Sequence, residues 1–82
     1  MMTLPDERYR AIQRTRHFLM SLMDPKETPR ISRAIRGQAY SLLRHYPSDY
    51  DLDRLAKKSP DVIIERMEPL TRMVMSYEQE QR

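Results

Sequence analysis

Along most of this chain apolar residues recur every three or four positions, and the rhythm is interrupted around Pro25 to Pro29, Pro47 and Pro60. Such spacing is the stripe of an amphipathic helix with one buried face. In the first segment the stripe is Ala11, Ile12, Thr15, Phe18, Leu19, Leu22 and Met23, and the opposite, solvent-facing side carries Arg10, Gln13, Arg14, His17 and Met20. A helix over about residues 4–23 is predicted, with Thr3 as its cap, Pro5 where a missing amide is harmless, and Asp6 and Glu7 at the positive end of the dipole. DPKETPR then breaks the pattern, because a residue before proline is pushed out of the helical region.

Thr28 followed by Pro29 is a restart signal, so a second helix is predicted over 29–46. Ile31, Ala34, Ile35, Gln38, Ala39, Leu42 and Tyr46 form its inner side, and Arg30, Arg33, Gly37, Tyr40 and Arg44 its outer side. Pro47 stops it, and Ser48 and Asp49 offer caps for a short helix over 50–58 that holds Leu52, Leu55 and Ala56. In the last segment Ile63, Met67, Leu70, Val74 and Tyr77 alternate steps of four and three, a heptad-like seam that predicts a helix over 60–79, kinked or broken near Pro69.

Composition supports helices throughout. The chain has 82 residues, one glycine and no cysteine, which leaves too few turn residues for hairpins and no disulfide or thiolate metal site. The expected fold is all-α, a compact bundle of three to four helices in a single domain spanning 1–82. A chain this short buries only roughly 60% of the surface its unfolded form exposes, so its core is thin. No apolar run approaches the roughly 20 residues of a membrane helix, and MMTLPDERYR lacks the apolar region of a signal peptide. A cytoplasmic protein with no membrane contact is expected.

Charge is uneven. Residues 1–46 carry nine Lys and Arg against four Asp and Glu, whereas residues 47–82 carry six against eight, and the basic half is nearly all arginine. Arginine favours planar contacts with carboxylates or phosphates. Gly37 lies among these arginines, and glycine inside a helix costs about 1 kcal/mol against alanine. Either that cost is tolerated, or Arg33, Gly37, Tyr40 and Arg44, with Arg30 and Arg36 at the margins, form a surface that a partner approaches closely. Adding Arg10 and Arg14 from the first helix, the expected partner-binding set is Arg10, Arg14, Arg30, Arg33, Gly37, Tyr40 and Arg44.

Catalytic chemistry has little to stand on. Within SLLRHYPSDYDLDRL, Arg44 and His45 are cations at the negative end of a helix, and Asp49, Asp51 and Asp53 read as caps or solvated groups. His17 and His45 lack metal-ligand spacing, and SDYDLD lacks the glycine and terminal glutamate of a calcium loop. No enzyme, metal or cofactor is expected. A nucleic-acid partner would use the same arginines, but a helix-turn-helix built on Leu52 to Lys58 would present Asp61, Glu65 and Glu68 to phosphates. Another protein is therefore the favoured partner, and nucleic acid the alternative. The thin core and the seam of the last helix also suggest a homodimer through that helix, with Met20 and Met75 as adaptable contacts and Met23, Met67 and Met73 filling the core.

Pro5-Asp6-Glu7-Arg8, Thr15-Arg16-His17-Phe18-Leu19 and Leu42-Leu43-Arg44-His45-Tyr46-Pro47, in that order, resemble a family of small proteobacterial proteins of unknown function that share a PDER opening, a TRxFL segment and an LLRHYP box. The resemblance covers about the first half of the chain. It implies a small cytoplasmic helical protein and assigns no catalytic residue.

Overall fold

The computed structural model describes residues 3–80, with side chains described as far as Tyr77. Among them are four helices and no strand: α1 (Pro5–Met23), α2 (Arg33–Leu43), α3 (Asp49–Lys58) and α4 (Pro69–Glu80). The fold is all-α, as the periodicity requires. The chain falls into two compact units, one made of the residues up to Ala11 together with those from Ser48 onward, the other of Ile12–Pro47.

In the first unit the start of α1 is set by Leu4, whose carbonyl accepts from the Arg8 amide and whose own amide donates to Glu7 Oε1 at 3.1 Å. Leu4 thus holds the cap position expected of Thr3, and the Thr3 hydroxyl instead accepts from Arg8 Nε at 2.9 Å. Arg8 also donates to the Val62 carbonyl at 2.9 Å, and the Ile64 amide donates to the Pro5 carbonyl. These tertiary bonds hold the turn after α3 against the start of α1. Leu4, Pro5, Tyr9, Leu52 and Ile63 are the buried apolar residues of this unit.

That turn corrects the expected helix over 60–79. Backbone groups of Val62 and Ile64 are engaged by α1, so residues 61–68 do not continue a helix. Helix α4 begins at Pro69, with the Glu68 carbonyl accepting from the Arg72 amide at 2.9 Å. Pro69 therefore starts a helix, at the position where its missing N–H has no partner to lose. Before it, α3 opens as expected on Ser48, whose hydroxyl accepts from the Asp51 amide while the Asp51 carboxylate accepts from the Ser48 amide.

The second unit joins the rest of α1 to α2. Helix α2 starts four residues later than Pro29, with Ser32 as its cap accepting from the Ile35 amide. Thr28 is used differently: its hydroxyl donates to the Ser21 carbonyl at 2.7 Å, closing the chain back on the end of α1. Tyr46 donates to the Ile12 carbonyl at 3.0 Å. Leu19 and Ala39 are the buried apolar residues here.

Inner faces are rotated from those expected. On α1 the covered positions run Pro5, Tyr9, Ile12, Arg16 and Leu19, which leaves Phe18 exposed. On α2 they are Arg36, Ala39 and Leu43, and both Ile35 and Leu42 point outward. On α4, Leu70, Met73, Val74 and Tyr77 are all exposed, so Met73 does not fill the core as expected.

Candidate functional site

The residues expected to bind a partner do not all share one fate. Arg33, Gly37 and Tyr40 lie one turn apart on α2, and Arg44 follows at its C-cap, so helical periodicity puts the four on one face, and all four are exposed. Arg14 on α1 and Arg30 just before α2 are exposed in the same unit. Among the described residues no carboxylate pairs with Arg14, Arg30, Arg33 or Arg44.

Arg10 departs from this set. It is half-buried in the first unit, and its Nη2 lies 3.6 Å from Asp6 Oδ2. Arg36, expected at the margin of the outer face, points inward: Nη1 donates to the Leu22 carbonyl at 2.7 Å and Nη2 to the Thr28 carbonyl at 2.6 Å. A guanidinium there satisfies a carbonyl in the last turn of α1, where the helix dipole also favours a cation. This use of Arg36 turns α2 so that Ala39 faces inward and Leu42 outward.

Gly37 has an uncrowded position. Its φ is not positive, and a Cβ added to it would meet nothing within 4 Å. Neither backbone conformation nor packing within the described residues calls for glycine there.

No family model, curated protein or solved structure matches this chain.

Polar interactions elsewhere involve residues that periodicity passed over. Tyr9 donates to Asp53 Oδ1 at 2.6 Å; that hydrogen bond, with burial and the nearby charge of Asp53, pushes the Tyr9 phenol up to about 12. Asp53 is thus a structural acceptor, where solvation alone was expected. Asp6 is only 5% exposed. Burial pushes its carboxyl up, but the Arg72 hydrogen bond and the charges of Arg72 and Arg10 outweigh it and hold the group below its ordinary range. Tyr9 could have been found from its spacing of three to Ile12 and ten to Leu19; the Asp6–Arg72 pair, far apart in sequence, has no local signal.

His17 and His45 are both exposed, and among the described residues no three His, Cys, Asp or Glu side chains gather as metal ligands. In the first unit an open groove of about 640 Å³ is lined by Pro60, Ile64, Met67, Thr71 and Met75 together with the exposed charged residues Asp61, Arg66 and Glu68. No described helix is long and apolar enough to cross a membrane.

Proposed function

We propose that this chain is a non-enzymatic protein-interaction or regulatory module whose contact surface is the α2 face of Arg33, Gly37, Tyr40 and Arg44, flanked by Arg14 and Arg30. The observation that carries the proposal is Gly37. A helix-interior glycine costs about 1 kcal/mol against alanine, and nothing within the described chain takes up the space it leaves. A close approach by another molecule, between an exposed tyrosine and flanking arginines, gives the residue a use. Tyr and Arg are also the side chains that most often anchor protein interfaces. The cytoplasmic location expected from the sequence goes with this proposal.

A second reading rests on the exposed arginines that no described carboxylate neutralises, which suit a phosphate backbone. The two differ in chemistry. Protein docking depends on Gly37 and Tyr40 and on particular arginines; phosphate binding weakens with each arginine removed and falls steeply with salt.

The deciding experiment compares wild type with Gly37→Ala, Arg33→Glu and Tyr40→Ala, first in cross-linking to proteins of a cell extract and then in fluorescence anisotropy with duplex DNA and single-stranded RNA from low to physiological salt. Loss of one specific cross-linked protein in all three variants supports the module. Binding to DNA or RNA that survives physiological salt and tracks only arginine number favours phosphate. Cross-links unchanged in all three variants overturn the α2 surface.

A further inference from the structure

Helix α4 faces its own chain with the wrong side for a helix that ends at its own core. Arg72, Met75 and Ser76 are the half-covered positions, and Arg72 Nε donates to Asp6 Oδ2 at 3.1 Å. The opposite side carries Leu70, Met73, Val74 and Tyr77, exposed to 69%, 65%, 50% and 63%. These four occupy steps of i, i+3, i+4 and i+7, one unbroken apolar stripe. Since Arg72 fixes the rotation of the helix, the stripe cannot roll inward without giving up the hydrogen bond to a buried carboxylate.

We propose that this stripe pairs with the same stripe of a second copy, helix against helix, in an antiparallel twofold contact. The proposal goes beyond the α2 surface and does not depend on it.

Three features single out a second copy. First, a twofold interface must be self-complementary, with residue i meeting j wherever j meets i. Steps of three, one and three read the same in both directions, so reversing the helix about the midpoint of Met73 and Val74 sets Leu70 against the partner's Tyr77 and Met73 against the partner's Val74. Apolar meets apolar at every position. Secondly, between Pro69 and Tyr77 the only charged residue is Arg72, which is turned to Asp6, in a chain that is 33% charged as a whole. Within that span two copies therefore bring no like charges face to face, and antiparallel helices set their dipoles favourably. Thirdly, an open depression lined by Pro69, Arg72, Met73, Ser76 and Tyr77 borders the stripe at Met73 and Tyr77, leaving room beside it for a facing helix.

The area suits a reversible pair. Four side chains at those exposures present on the order of 400 Å² per copy, and with their rims about 1,000 Å² in total, the lower limit for a specific interface. Association in the micromolar range is expected.

The test has two parts. Sedimentation equilibrium from low to high micromolar concentration should give a mass rising from one chain to two, and Val74→Glu, at an exposed position that leaves the helical circular dichroism intact, should weaken pairing at least tenfold. Because the chain lacks cysteine, a Leu70→Cys chain mixed with a Tyr77→Cys chain should form the mixed disulfide faster than either forms its own. Trypsin cleavage after Arg72 separates the two positions, so mass spectrometry reads which pair joined. A single-chain mass at high micromolar concentration overturns the proposal. So does a dimer that Val74→Glu leaves unchanged, or one in which like positions cross-link fastest, since that is a parallel contact.

Discussion

Arg72 of α4 donates through Nε to Oδ2 of Asp6, the second residue of α1, across 3.1 Å and 66 positions of sequence. Arg10, one turn further along α1, adds its charge at 3.6 Å. Asp6 is buried, and among the described groups its Oδ1 has no hydrogen-bond partner. The carboxylate therefore relies on two guanidinium groups for the solvation that water would give it, and each remains partly in water.

Asp6→Asn is expected to destabilise the protein by about 1–2 kcal/mol, near the lower end for a charge-assisted hydrogen bond because Arg72 is only partly desolvated. Urea unfolding measures the loss. The Asp6 pKa lies below its ordinary value of 3.8 when folded, so the native state binds fewer protons than the unfolded chain in the acid range. The contribution is full above 3.8 and disappears as pH falls through the lowered value. The gap between wild type and Asp6→Asn should accordingly narrow as the solution is acidified below that range. Asp51, lowered by the amide and hydroxyl of Ser48, adds a slope of the same sign that both proteins keep.

Tyr9 carries the opposite pH dependence. Its phenol is raised from 10.0 to about 12 in the folded state, so its contribution is full below 10.0 and is lost as pH rises through about 12. Tyr9→Phe should cost about 1 kcal/mol at neutral pH, the net value of one hydrogen bond, since exposed Asp53 can turn to water. The variant should also lose part of the alkaline decline in stability, which denaturation at pH 8 and pH 11 would show.

Arg36 holds two carbonyls at once, those of Leu22 and Thr28. Arg36→Ala is expected to cost about 1–3 kcal/mol, because both acceptors lose a charged donor and one belongs to the end of α1. Arg36→Lys should recover only part of this, since an ammonium lacks the planar fork. Thermal unfolding of the three proteins checks the order wild type, lysine, alanine.

Gly37→Ala should stabilise α2 by about 1 kcal/mol, as an added methyl meets nothing within 4 Å. Chemical denaturation reads the gain. A variant that is more stable yet binds its partner less well would separate the cost of glycine from its use.

Much of the secondary structure was legible because its signals are local. Ser48 with Asp51 caps α3 through groups three residues apart, and the first helix ends at Met23, just before the Asp24-Pro25 break. Where a local signal faced competition it misled. Thr28-Pro29 resembles a helix start, yet the Thr28 hydroxyl is spent on the Ser21 carbonyl and its carbonyl on Arg36. Ile63 and Met67 continue a heptad rhythm, yet the backbone on either side of Ile63 is bonded to α1, the Val62 carbonyl accepting from Arg8 and the Ile64 amide donating to the Pro5 carbonyl.

The sequence by itself determined that this protein is helical and where α1 and α3 begin and end, since propensity, caps and prolines act within a few residues. Only the tertiary structure decided which side of α1, α2 and α4 is covered. That choice rests on long-range polar pairs, Asp6 with Arg72, Tyr9 with Asp53, and Arg36 with the carbonyls of Leu22 and Thr28. In a thin core a buried carboxylate or guanidinium costs more to leave unpaired than a leucine costs to leave in water. The polar pairs therefore set the rotation of α2 and α4, and Leu42, Leu70 and Tyr77 are turned outward.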